Sequence, residues 1–298
     1  MADSIVEIEG RQLKLSNLDK VLYPETGFTK GEVIDYYARI APAMLPHLRG
    51  RCATFKRYPN GVEGKFFFEK RCPSHRPDWV RVGVGPGDRR GGIDYCVLDD
   101  TPSLVWAANL AALELHTPMS FTPDMTAPNM VVFDLDPGPP AAMTECAEVA
   151  LDLRDVLEGI GLQIFPKTSG SKGLQLYLPL NTPGTSTEQA RTFALTLGQV
   201  MEKHHPDRVL TDMKKELRKG KVFIDWSQNA DFKTTICAYS LRARPRPTVS
   251  TPVTWDEVDA AAGGEPLSFE APEVLDRVAE HGDLFAETQT LEQELPAS

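Results

Sequence analysis

Met130-Val131-Val132-Phe133-Asp134-Leu135-Asp136-Pro137-Gly138 reads as an apolar β-strand that ends in two acids and a turn. Residues i and i+2 of a strand leave the same face, so the Asp134 and Asp136 carboxylates project together, about 7 Å apart along the chain. Two hard oxygen ligands at that spacing suit Mg2+ or Mn2+. Paired divalent ions clamp the attacking and leaving oxygens in phosphoryl transfer. A strand end with two solvated acids has the same spelling, so the pair alone does not decide.

Val222-Phe223-Ile224-Asp225-Trp226 repeats the layout, three apolar strand residues followed by Asp225. Two strands with carboxylates at their ends can converge on one site. A phosphatase of the Asp-x-Asp type would need Thr or Ser shortly after a nucleophilic aspartate. Here Pro137-Gly138-Pro139-Pro140 follows, which argues against that chemistry. Between the two acidic strands lies Lys167-Thr168-Ser169-Gly170-Ser171-Lys172-Gly173, flanked by predicted strands at 162–166 and 174–180. Glycines that allow tight turns, two hydroxyls and a lysine make an anion cradle. The pattern is not a Walker motif, and an ordinary Ser/Gly hairpin is the alternative.

Further out, the apolar periodicity predicts helices at 141–160 and 188–204 and strands at 53–57, 65–69 and 222–226. Thr29 followed by Glu32 is a capping-box pattern opening a helix over 33–48. The Ala/Leu-rich stretch 103–116 reads as a helix with His116 at its end, where a capped core histidine is the plain reading. Residues 83–92 read as an exposed hairpin loop, and 240–247 as an Arg- and Pro-rich extended segment. Beyond Pro272 the periodicity weakens, and an acidic, only partly ordered tail is expected. Early hairpins and later strand–helix–strand units predict one α/β domain, an N-terminal lobe packed on a catalytic core.

The 298 residues carry a formal net charge of −10. That balance argues against nucleic acid, which is gripped through Lys and Arg. The basic residues are, however, concentrated in 14–30, 49–90 and 214–246 and the acids in 265–298, so a basic face on an acidic body is expected. No apolar run reaches membrane-spanning length and no apolar segment follows the acidic N-terminus, a cytoplasmic pattern. Five scattered cysteines predict neither a disulfide framework nor a four-thiolate zinc site. Cys72-Pro73-Ser74-His75 offers two of the four ligands that structural zinc needs, so a surface turn is expected there.

The elements Val132-Phe133-Asp134-Leu135-Asp136-Pro137-Gly138, Thr168-Ser169-Gly170-Ser171-Lys172-Gly173-Leu174 and Ile224-Asp225-Trp226-Ser227-Gln228-Asn229 occur in this order and spacing. Together they resemble the polymerase domain of bacterial non-homologous end-joining ligases and its stand-alone relatives in the archaeo-eukaryotic primase superfamily. The likeness covers roughly residues 10–260, and the set is far more specific than any one motif. It implies an α/β (α+β) primase-polymerase fold with an RRM-like catalytic core and a fused N-terminal lobe. The domain would span 1–270, with the DNA-binding lobe over about 1–120, the core over about 121–260 and an acidic tail at 271–298.

By that resemblance Asp134, Asp136 and Asp225 would hold two Mn2+ or Mg2+ ions. Ser169, Lys172, His116 and Arg242 would contact the incoming triphosphate with Gln228 nearby, and Arg218 would belong to a mobile basic loop that arranges the site. The family places a histidine two residues after the second cradle glycine, where this chain has Gln175. Glutamine donates a hydrogen bond to phosphate but carries neither proton nor charge. In the lobe, Asn17, Lys20 and Lys30 would hold the 5′-phosphate of a gap, with Lys56 close by, and Phe67 and Phe68 would stack on template bases. Adjacent strand residues face opposite sides, so Phe66-Phe67-Phe68 cannot all enter one core. A ring left outside between Lys65 and Lys70 grips bases at about 1–3 kcal/mol each. A strand buried on both faces is the alternative. The loop 83–92, with Asp88-Arg89-Arg90, would touch a second DNA end or be a solvated hairpin.

The implied activity is a DNA repair nucleotidyltransferase of bacterial, nucleoid-associated setting. It would fill short gaps and extend 3′ ends with NTPs or dNTPs. Its partners would be gapped or end DNA with a 5′-phosphate, nucleoside triphosphates, and separate ligase and end-joining proteins; no membrane is implied. A primase that starts primers de novo uses the same site. A catalytically weak DNA-end binding module is the non-enzyme alternative, motivated by Gln175 and the acidic charge.

Overall fold

The computed structural model describes residues 4–87, 91–231 and 233–296. The chain divides into two compact units. One holds the chain up to Pro118 with Ile236–Ser250 and Phe269–Asp283. The other holds Met119–Thr235, Thr251–Ser268 and the chain from Leu284 onward.

The first unit opens with the antiparallel pairs β1 (Ser4–Ile8) with β2 (Arg11–Leu15), and β3 (Val21–Tyr23) with β4 (Phe28–Thr29). Thr29 and Glu32 close the capping box and start α1 (Lys30–Leu48). Val33, Tyr37, Ile40 and Met44 of α1 lie on one helical stripe and are fully buried. Then come β5 (Thr54–Arg57), β6 (Phe67–Glu69), the hairpin β7 (Arg81–Pro86) and β8 (Gly92–Val97), α2 (Thr101–Asn109) and β9 (Ala112–Thr117). β6, β5 and β9 pair antiparallel in that order. The hairpin strands claim Gly83–Pro86, so the expected loop is narrower, and Asp88-Arg89-Arg90 lie outside the described residues.

Two sequence expectations are corrected in this unit. The stretch 103–116 is not one helix. α2 stops at Asn109, Ala111 takes a positive φ of 57°, and Leu113 and Leu115 then alternate with Glu114 and His116 as strand β9. Cys72 and Cys96 form a disulfide, with Cα atoms 4.8 Å apart. Cys72 N–H donates to Asp94 O at 2.7 Å, which lays the chain after β6 against β8 and brings the two cysteines together. Where a surface turn was expected at 72–75, Cys72 is taken up by the disulfide and the turn runs one residue later, closed by the Arg76 N–H on Pro73 O at 3.1 Å.

The second unit is built on a five-stranded sheet. It contains β10 (Met130–Pro137), α3 (Met143–Gly159), β11 (Phe165–Thr168), β12 (Leu174–Pro179), α4 (Thr187–His204), β13 (Val209–Leu210), β14 (Val222–Asp225) and α5 (Trp255–Ala262). The strand order is β11-β12-β10-β14-β13, antiparallel except for the β13–β14 pair. Phe133 packs edge-on against Phe193 of α4 and Leu135 O accepts the Cys146 thiol of α3. Val131, Phe133 and Leu135 therefore face the helices, and strand alternation sends Asp134 and Asp136 to the opposite face.

Residues 273–296, part of the tail expected to be only partly ordered, are built into both units. α6 (Ala271–His281) buries Ala271 and Val274 and packs on α1. Asp283 then accepts from Tyr239 Oη at 2.6 Å and pairs with His47 at 2.9 Å. Past Leu284, Gln293 docks on the second unit, its Nε2 donating to Gln163 O and Pro179 O. Among the described residues no helix is long and apolar enough to cross a membrane.

Candidate active site

The sheet register writes the site. Asp134 on β10 stands opposite Gln175 on β12 and opposite Asp225 on β14. Gln175 stands opposite Lys167 on β11. Lys167, Gln175, Asp134 and Asp225 thus form one row across four strands, each neighbour about 4.5–5.5 Å away at Cβ. Asp136 joins the row's face one pleat further along β10.

Each member has defined partners. Lys167, with no exposed surface, donates from Nζ to Gln175 Oε1 at 2.6 Å and lies 5.3 Å from the Tyr177 ring centroid. Since the amide oxygen is taken by Lys167, the Gln175 NH2 is the end that bonds the Asp134 carboxylate. Asp225 caps the 3-10 turn Trp226–Asn229, accepting from Ser227 N at 3.0 Å, Ser227 Oγ at 2.6 Å and Gln228 Nε2 at 3.1 Å. Asn229 locks that turn to β10 through both its amide ends, on Val132 N and Val132 O. Arg218 reaches toward Asp136 at 3.9 Å, its guanidinium stacked 3.7 Å from the Phe223 ring centroid.

Burial pushes the Asp134 carboxyl up to about 7, helped by the charge of Asp136 and then Asp225, against the opposing Gln175 hydrogen bond and Lys167 charge. The neighbouring Asp136 and Asp225 carboxylates thus raise the energy of the ionised Asp134 carboxyl. Among the described residues no three His, Cys, Asp or Glu side chains are already gathered as a metal cage. Asp225 is turned to Ser227 and Gln228, and Asp136 toward Arg218.

Two glycines allow the backbone to crowd this end of β10. A Cβ on Gly173 would lie 1.9 Å from Leu135 O, and one on Gly138 would lie 1.8 Å from Arg218 O. In the loop between β11 and β12, Ser169 Oγ accepts the N–H groups of Ser171 and Gly173, and Ser169 N–H donates to Gly173 O. The loop expected as a cradle therefore spends part of its N–H set on its own closure, and Lys172 stands exposed beside it.

The remaining expected residues lie in the first unit. His116, on β9 rather than at a helix end, meets Glu114 at 3.0 Å. Lys56 and Arg242 approach the same carboxylate at 3.6 Å and 3.4 Å. Lys56 Nζ also lies 4.4 Å and 5.7 Å from the ring centroids of Phe66 and Phe68. Phe66, Phe67 and Phe68 are 50%, 44% and 57% exposed, so the strand is not buried on either face. At the start of α1, Lys30 N–H donates to Lys20 O and Lys20 N–H to Asn17 O. These bonds gather Asn17, Lys20 and Lys30 around one helix N-terminus. Lys30 Nζ is turned in to Ser16 O at 2.6 Å, and Lys20 Nζ to Asn60 Oδ1 at 3.0 Å.

Sequence reading missed Lys167, Asn229 and Glu114. Lys167 and Asn229 stood inside quoted motifs with no role given to them. Glu114 was hidden by the helical reading of its segment, although Leu113-Glu114-Leu115-His116 alternates as a strand does.

A sequence profile described as the LigD primase-polymerase domain matches residues 29–285. The multifunctional non-homologous end joining protein LigD of Mycolicibacterium smegmatis is 46% identical over 277 residues, covering 92% of this chain and 36% of that protein. The Mycobacterium tuberculosis H37Rv DNA repair protein LigD is 46% identical over 284 residues, covering 92% of this chain and 37% of its own length. The bifunctional LigD of Bacillus subtilis is 31% identical over 287 residues, 96% of this chain and 46% of that protein. The chain therefore spans little more than a third of the mycobacterial relatives it matches. A solved structure, the polymerase domain of Mycobacterium tuberculosis ligase D in complex with DNA, superposes with a TM-score of 0.88 at 44% identity. That match covers 94% of this chain and 99% of the solved one. On these likenesses the chain belongs to the LigD primase-polymerase domain family of DNA-directed nucleotidyltransferases.

Proposed function

We propose that this chain is a template-directed repair polymerase that fills short gaps and extends 3′ ends, using NTPs or dNTPs, in the course of joining DNA breaks. The observation that carries this reading is the cross-strand pairing of Asp134 with Asp225, with Asp136 on the same face. Their oxygen-only donor set and crowded charge fit Mg2+ or Mn2+. Asp134, Asp136 and Asp225 would hold two such ions, whose bound chemistry is to neutralise charge on the attacking and leaving oxygens.

The protein's own side chains do the rest. Gln175, oriented by Lys167, holds the Asp134 carboxylate in place, so its contribution to nucleotide binding runs through that acid. Gln228 does the same for Asp225. Ser169 and Lys172 in the β11–β12 loop, with His116 and Arg242, bind the triphosphate, whose charge calls for cationic and N–H or O–H donors. Arg218 neutralises Asp136 until substrate arrives and then turns to the developing charge. On the DNA side, Asn17, Lys20 and Lys30 take the 5′-phosphate at a helix N-terminus. Phe67 and Phe68 stack on template bases with Lys56 at the backbone.

Primer extension across a one-nucleotide gap tests this, with and without a 5′-phosphate downstream and with each nucleotide pool. Templated extension that is stronger with the 5′-phosphate is expected. Products that appear without a primer would move the assignment to a primase. Tight DNA binding with no extension in either pool would leave an end-binding module.

A further inference from the structure

Glu114 is 2% exposed in the first unit, beside Lys56, Arg242 and His116. Its Oε1 lies 3.6 Å from Lys56 Nζ and 3.4 Å from Arg242 Nε, and accepts the Ala243 N–H at 3.1 Å. Its Oε2 meets His116 Nε2 at 3.0 Å. The groups come from three places in the chain: Lys56 from β5, His116 from Glu114's own strand β9, and Arg242 from the returning segment Ile236–Ser250. One buried carboxylate is what they share.

The carboxylate is ionised. Burial opposes its charge, but the His116 hydrogen bond, then the charges of Arg242 and Lys56, outweigh burial and hold it well below the usual carboxylate range; burial in turn lowers the His116 pKa and keeps that ring neutral. An ionised carboxylate only accepts hydrogen bonds, so His116 must donate from Nε2. That fixes the tautomer of the neutral ring and leaves Nδ1 as the edge turned away from Glu114. The Phe68 ring, 6.2 Å away and edge-on, limits the imidazole from the β6 side. Lys and Arg side chains are otherwise flexible, and holding two of them at one point requires a partner that is itself immobile. Glu114 is held because its backbone is in the β9–β5 ladder and each of its oxygens has a hydrogen-bond partner.

We propose that Glu114 is a positioning residue for nucleotide binding, the buried anchor that sets the imidazole edge of His116 and the guanidinium of Arg242 in one phosphate-receiving array. This rests on the reading that His116 and Arg242 contact the triphosphate. The sign of the effect separates positioning from simple charge. A carboxylate beside a phosphate site repels the ligand, so if Glu114 acted only through its charge, removing it would tighten nucleotide binding. If it positions the cations, removing it weakens binding.

Steady-state single-nucleotide incorporation on a gapped duplex with Mn2+ decides this, comparing wild type with Glu114→Gln, Glu114→Asp, His116→Ala and Arg242→Ala. Glu114→Gln is expected to raise the nucleotide KM by about 10-fold while kcat stays within about 3-fold, with Glu114→Asp recovering part of the loss. A Glu114→Gln KM that is unchanged or lower, while His116→Ala and Arg242→Ala raise theirs, overturns the proposal and leaves the triphosphate reading standing. Unchanged KM in both His116→Ala and Arg242→Ala overturns the reading itself, and the proposal with it. Should Glu114→Gln fail to fold, the imidazole nitrogen NMR shifts of the wild-type protein serve instead. A neutral His116 protonated at Nε2 supports the anchor, and one protonated at Nδ1 refutes it.

Discussion

Lys167 Nζ donates a 2.6 Å hydrogen bond to Gln175 Oε1, and both side chains are buried. An amide flipped the other way would set its NH2 against an ammonium, so the lysine admits one orientation of Gln175 only. The NH2 that remains is aimed at Asp134. Gln175 is a neutral donor, locked in place from behind.

Replacing Lys167 with methionine keeps the volume and removes the lock. Groups that orient a metal-binding carboxylate typically change metal affinity by about 10–100-fold when lost. The Mn2+ concentration for half-maximal incorporation is therefore expected to rise roughly 10-fold in Lys167→Met. An unchanged Mn2+ requirement would show that the Lys167–Gln175 pair is structural only.

The crowding of carboxylates gives a pH signature in metal-free protein. Asp134 is raised from its ordinary value of 3.8 to about 7, so the folded state holds a proton that the unfolded chain has released. The stability this contributes is complete below about pH 4 and is lost as pH rises through 7. Thermal melts in chelator are expected to show wild type losing stability relative to Asp134→Asn between pH 4 and 7. Added Mn2+ should stabilise wild type and leave the variant nearly unmoved. Parallel melting curves across this range would contradict the crowded-acid account.

Gly138 and Gly173 are required by backbone atoms less than 2 Å from where a Cβ would sit. Alanine at either position is expected to cost at least about 1–3 kcal/mol in denaturant unfolding. Gly159, at the end of α3 with nothing within 4 Å of its virtual Cβ, is the control. Gly159→Ala should be neutral or gain up to about 1 kcal/mol. Equal effects at all three positions would mean the close approaches relax without cost.

Phe67 and Phe68 are exposed, so truncating them should spare the fold and weaken grip on single-stranded template by about 1–3 kcal/mol per lost stack. Phe55, only 1% exposed one strand away, should do the reverse, costing about 3–5 kcal/mol of stability when cut to alanine. Fluorescence anisotropy with gapped DNA, alongside melts, separates the two. Loss of stability in Phe67→Ala or Phe68→Ala without loss of DNA affinity would mean the rings pack rather than bind.

What the sequence made legible was whatever rests on short-range periodicity. The strand carrying Asp134 and Asp136, the one carrying Asp225, and α1, α3 and α4 follow from alternation, helical spacing and caps. What it hid depends on partners far along the chain. His116 read as helical because alanine and leucine suit a helix, but the positive φ of Ala111 resets the chain into a strand that pairs with Thr54–Arg57. The Cys72–Cys96 bond needs two residues 24 apart to be brought together by backbone pairing. α6 carries apolar positions at Ala271, Val274, Leu275 and Val278, a helical stripe diluted by the acids around it. Lys167 and Gln175 became a pair only once the β11–β12 register was known.

We propose that Asp134, Asp136 and Asp225 form one divalent-metal seat for nucleotidyl transfer. Its most direct test is a Mn2+ titration of single-nucleotide incorporation opposite a templating base, for wild type, Asp136→Ala and Asp225→Asn. Mn2+-dependent extension is expected for wild type, and none above background for either folded variant. Extension by Asp136→Ala or Asp225→Asn at the wild-type rate, with the wild-type Mn2+ requirement, would contradict it.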